Sequence, residues 1–149
     1  MKLAEALQER ADLNRQIEQL RSRLSHNAIV QEGEAPAEDP GDLLAQLDRA
    51  TARLEELMAS INLANSRTVV NDKTLTQIIA RKDCLRLRLE AYRELAETAS
   101  QTARRATRSE IRILSTVDVK TIQAQVDTMA KELRLLDNQI QQTNWTTEL

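Results

Sequence analysis

The sequence predicts an all-α protein, an up-and-down antiparallel four-helix bundle with long coiled-coil-like helices and minor β-hairpin elements at the turns. Three observations carry that expectation. Aromatic residues make up 1% of the 149, so a core must be built from Leu, Ile, Val, Ala and Met, the side chains that line helix seams. Charged residues reach 30% and, with abundant Ala, Leu, Glu, Arg and Gln, favour long helices. Both glycines and both prolines fall within "SHNAIVQEGEAPAEDPGD", residues 25–42, which leaves the remaining chain free of helix breakers.

Four segments repeat apolar residues at alternating spacings of three and four, which places them on one helix face. The first seam is Leu3, Ala6, Arg10, Leu13, Ile17, Leu20 and Leu24; the second is Leu43, Leu47, Ala50, Leu54, Leu57, Ile61 and Ala64. The third begins Leu75, Ile78, Lys82, Leu85, Leu89 and Tyr92 and tapers through Ala96, Ala99, Ala103 and Ala106. The fourth is Val119, Ile122, Val126, Met129, Leu133, Leu136 and Ile140. This period of 3.5 favours left-handed packing at shallow crossing angles. Arg10 and Lys82 are the polar seam positions, with two readings open: they set register, or they reach solvent along their stems.

Helices are therefore expected at about 2–25, 42–65, 74–106 and 118–142, in one domain covering 1–149, with an acidic insert at 26–41. Asp118 suits the N-cap of the fourth helix, with Val117 placed to staple Ile122. Thr74 and Gln77 suit a capping box at the start of the third. Thr68, Val69 and Val70 before Asn71-Asp72 suggest a tight hairpin, and "SEIRILST" at 109–116 is a second β-like run. A third helix of that length would reach roughly 50 Å, against about 35 Å for the others. In up-and-down order the two β-like runs would lie at opposite ends, so their pairing requires a second subunit and a homo-oligomer is expected.

The strings "MKLAEAL", "VQEGEAPAEDP", "RSEIRILSTVDV" and "NWTTEL" together resemble a bacterial family of small helical proteins of unknown function, some members of which are labelled septicolysin. The resemblance spans essentially the whole chain. It implies a helical fold and no established activity. The residues argue against reading the label literally as a pore-former. The opening "MKLAEALQERADLNRQIEQL" has no continuous apolar stretch, so no signal peptide is expected, and no window approaches the roughly 20 apolar residues that span a bilayer. A lone tryptophan, Trp145, supplies no aromatic belt. A cytoplasmic location without membrane contact is the expectation, and one cysteine, Cys84, fits a reducing compartment.

No nucleophile elbow, P-loop, dinucleotide fingerprint or zinc spacing appears, so neither an enzyme nor a cofactor is expected. His26, with Glu32, Glu34, Glu38 and Asp39 nearby in sequence, is a candidate set for a hard divalent cation, of which His26, Glu32 and Glu34 are the nearest ligand positions. Against it stands a solvated acidic loop that Pro36 and Pro40 keep from becoming helical, because the spacing matches no calcium loop.

The sharper signal is electrostatic. The insert carries Glu32, Glu34, Glu38, Asp39 and Asp42 without a lysine or arginine, whereas 104–112 carries Arg104, Arg105, Arg108 and Arg112 against Glu110 alone. Arginine forks match carboxylates in two-pronged geometry, so the insert is expected to fold over this cluster in its own or a neighbouring chain. The alternative use of the cluster is ligand, phosphate or nucleic-acid binding. Nucleic acid is the less favoured use, since no aromatic accompanies the arginines and the net charge of the chain is −2. Trp145 is expected to anchor the C-terminal tail on a neighbouring helix. The function expected is that of a non-enzymatic structural or interaction protein.

Overall fold

A computed structural model describes residues 1–102 and 111–149. Among them run four helices, α1 (Leu3–His26), α2 (Pro40–Arg67), α3 (Leu75–Ala99) and α4 (Val119–Thr146). Between α2 and α3 sits a two-stranded hairpin, β1 (Val69–Val70) with β2 (Lys73–Thr74). The chain divides into two compact units, Met1–Val70 with Thr143–Leu149, and Asn71–Gln142.

In the first unit α1 packs on α2 through seam positions. Leu3, Ala6 and Leu20 of α1 are buried, as are Leu43, Ala50, Leu57 and Ile61 of α2. Arg53 ties the pair together, its guanidinium donating to both carboxylate oxygens of Glu9 at 2.7 and 3.0 Å. The chain ends join the same unit: the Leu3 amide donates to the Thr147 carbonyl at 2.9 Å, and the Leu149 amide donates to that of Met1 at 3.0 Å.

In the second unit Leu85 and Leu89 of α3 form a core with Val126 and Met129 of α4, flanked by Tyr92 and Leu133. Lys82 resolves the seam question for its own position. It is 18% exposed and pairs with Asp137 across the helix pair, while Arg81 pairs with Glu132. A partly buried ammonium with one acid opposite it is a register device of the kind polar seam residues provide.

The helix starts follow their capping chemistry. Thr74 accepts from the Gln77 amide at 3.3 Å while the Gln77 side chain accepts from the Thr74 amide at 2.8 Å. Asp118 accepts from the Lys120 amide at 3.1 Å and the Thr121 hydroxyl at 2.7 Å. Helix α2 starts two residues before the expected position, because Pro40 at its first position comes with φ already set and Asp39 caps it by accepting from the Gly41 amide.

Three expectations need correction. The third helix was expected to reach 106 but ends at Ala99. Beyond Leu95 the seam offers only alanine to pack against, and the Ser100 hydroxyl takes the Ala96 carbonyl at 2.6 Å, satisfying a last-turn acceptor locally. Residues 103–106 lie outside the described residues. The second β-like run forms no strand at 111–116, where Ile111 and Leu114 are exposed, and 109–110 lie outside the described residues. Helix α4 continues to Thr146, so Trp145 belongs to the helix, and at 52% exposure it is only half covered instead of docked.

Candidate interaction surface

The second unit presents a groove of about 310 Å³ between α3 and α4. Lys82, Arg86, Leu89 and Arg93 supply its α3 edge, because spacings of four, three and four keep them on one side of the helix. Its floor is apolar: Leu89, 2% exposed, with Ala130 and Leu133 from α4. Arg134 and Asp137 close the α4 edge. The interhelical ion pairs of this unit use Arg81 and Lys82, leaving Arg86, Arg93 and Arg134 without an acidic partner among the described residues. The groove therefore joins an apolar base to three uncommitted guanidiniums, each able to grip a carboxylate with two hydrogens.

Two helix faces remain uncovered within their own units. On α2, Leu44, Asp48, Thr51, Glu55 and Met58 repeat at four and three residues, and all are exposed. On α3, Ala80, Cys84, Leu87, Ala91 and Leu95 form an outer stripe on the side opposite the buried Leu85 and Leu89; Leu87 is 67% and Leu95 41% exposed.

The acidic insert is held by its own helix. Glu38 accepts from Arg23 Nε at 2.9 Å, and the second guanidinium nitrogen closes a two-pronged pair. Asn27, buried at the end of α1, fixes both segments: its Nδ2 donates to the Arg23 carbonyl at 2.8 Å and its Oδ1 accepts from the Glu38 amide at 2.9 Å. The hydrogen bonds from Arg23 hold the Glu38 carboxyl below its ordinary value, and the same pairing raises the Arg23 guanidinium. Glu9 is lowered in the same way by Arg53.

Of the insert acids expected to meet the arginine cluster, Glu38 thus meets Arg23 and Asp39 caps α2, while Glu32 and Glu34 are exposed. Arg104, Arg105 and Arg108 lie outside the described residues, and Arg112 is exposed. His26 Nδ1 lies 2.7 Å from the Ser22 carbonyl and so donates to it, leaving Nε2 as the nitrogen a metal would need. Among the described residues no three His, Cys, Asp or Glu side chains come together as a metal set. Cys84 is free and exposed.

Sequence reasoning passed over Arg23, Asn27, Arg86, Arg93 and Arg134. A signal existed for two of them: Arg86 and Arg93 are seven residues apart and flank the seam residue Leu89, the position of a groove edge. The Arg23–Glu38 pair had no such signal, since fifteen residues of loop and helix separate its members.

These features define a small all-α protein whose helix pairs leave apolar and basic surface uncovered. Residues 10–149 match a family of unknown function (DUF6847), and the chain belongs to that family. The structure is similar to the crystal structure of a functionally unknown conserved protein from Corynebacterium diphtheriae, with a TM-score of 0.94 and 39% sequence identity, covering 100% of this chain and 98% of that one. No curated protein matches the chain. The family resemblance read from the sequence stands as one to proteins of unknown function; the septicolysin label gains no support. Among the described residues no helix is long and apolar enough to cross a membrane.

Proposed function

We propose that the protein is a non-enzymatic structural or interaction protein that assembles with copies of itself by helix packing, in the cytoplasm. The up-and-down order of four helices expected from the sequence belongs to the same proposal. The observation that carries it is that α3 is apolar on two sides. Its inner face buries Leu75, Ile78, Leu85, Leu89 and Ala96, while Leu87 and Leu95 stand out on the other face among Ala80, Cys84 and Ala91. Covering a leucine is worth about 1.5–3 kcal/mol, so a row of them on a helix with small neighbours favours close approach of another helix. A charged ligand site does not require such a stripe.

Sedimentation velocity tests the reading. The wild-type chain is expected to associate at micromolar concentration, and Leu87→Glu to shift it towards the monomer with its helical circular dichroism intact. A wild-type monomer at that concentration overturns the proposal, and a Leu87→Glu chain that associates like the wild type removes the observation on which it stands.

A further inference from the structure

We infer that the α3–α4 groove receives helix α2 of a second copy of this chain, an inference that rests on the self-assembly proposed above. Spacing and charge match across this contact. Arg86 and Arg93 stand seven residues apart on one edge of the groove, two turns or about 10.5 Å along the helix. On the outer face of α2, Asp48 and Glu55 are also seven residues apart, and neither has an ion-pair partner among the described residues. An α2 helix laid along the groove brings both acids to both arginines in one register, with Arg134 on the opposite edge as a further donor.

The same register carries Thr51, between the two acids, over the groove floor, and sets the exposed apolar residues of α2 just beyond the arginine pair. Leu44 lies four residues before Asp48 and Met58 three after Glu55, so the apolar side chains bracket the acidic pair on the same face, and about half of each is exposed in the free chain. The groove offers Leu89, Ala130 and Leu133 between its cationic edges. A helix brings two acids to two arginines at once, and a channel between two packed helices is the natural seat of a third.

The second copy is the occupant because both halves of the contact are carried by one sequence. Every copy carries both an α2 and a groove, so the same pairing serves each contact between copies. The charged rim then sets register and orientation.

Two charge-reversed chains test the inference, Arg86→Glu/Arg93→Glu and Asp48→Arg/Glu55→Arg. Alone, each sets like charges against one another at both copies of the contact, and self-association should weaken about tenfold or more with helical circular dichroism retained. Mixed in equal amounts, each contact regains opposite charges, so native mass spectrometry should show a dimer containing one of each. If a reversed chain fails to fold, the neutral pair Arg86→Gln/Arg93→Gln and Asp48→Asn/Glu55→Gln replaces it, each expected to weaken association of the otherwise native chain. Reversed or neutral chains that associate as the wild type does, or folded reversed chains that stay monomeric on mixing, overturn the inference while leaving wild-type self-association standing. A wild-type monomer overturns the broader proposal and this one together.

Discussion

Asn71 and Asp72 hold φ of 49° and 64°, two successive residues in the left-handed region. A two-residue hairpin loop of type I′ needs positive φ at both central positions, and primed turns are favoured there because they match the right-handed twist of the strands. Asn and Asp tolerate that region better than other side chains, yet glycine at the second position carries no Cβ to strain. Asp72→Gly should therefore raise unfolding free energy by up to about 1 kcal/mol, less whatever the freer unfolded chain takes back, measured as a higher urea midpoint. A lower midpoint would mean that the Asp72 side chain contributes more than its backbone costs. The turn was legible in the sequence from Asn-Asp alone. The buried Asn27 was not: an asparagine after a helix reads as a simple stop, and its double role between Arg23 and Glu38 exists only once the loop has returned to the helix end.

Helix α3 shows how much of an element its sequence encodes. The inner seam was readable in advance because a 3.5-residue period puts Leu85 and Leu89 on one side whatever packs there, and both are buried. Truncating Leu89, which forms the helix-pair core and the groove floor at once, should cost about 2–5 kcal/mol as Leu89→Ala, seen as a fall in thermal or urea midpoint. A cost under about 1 kcal/mol would show the site collapsing around the missing atoms. The end of α3 was less readable. Helix propensity of the alanine-rich run continues past Ala99, but propensity is a weak prior beside packing, and nothing large remains there to pack. The groove arginines were less legible for a related reason: the dense run at 104–112 is visible in sequence, whereas Arg86, Arg93 and Arg134 become neighbours only when α3 and α4 lie together.

Across the whole molecule the carboxylates Glu9, Glu38 and Glu148 are held below their ordinary 4.5 by hydrogen bonds from Arg53, Arg23 and Lys2 respectively. Asp118 is held below 3.8 by hydrogen bonds from Thr121. Depressed carboxyl values mean that the unfolded chain binds protons more tightly, so their stabilisation is complete above the ordinary values and disappears as pH falls through the folded ones. The urea midpoint should hold from neutral pH to about pH 5 and decline below it, and Glu38→Gln should flatten part of that decline. A midpoint unchanged down to about pH 3 would contradict the pairing. The sequence alone determined an all-α chain, the seams that become buried, the capped helix starts and the hairpin turn, because these depend on spacings within a few residues. Only the tertiary structure decided which acid meets which arginine, where α3 stops and which faces stay uncovered, because those depend on groups brought together across tens of residues of chain.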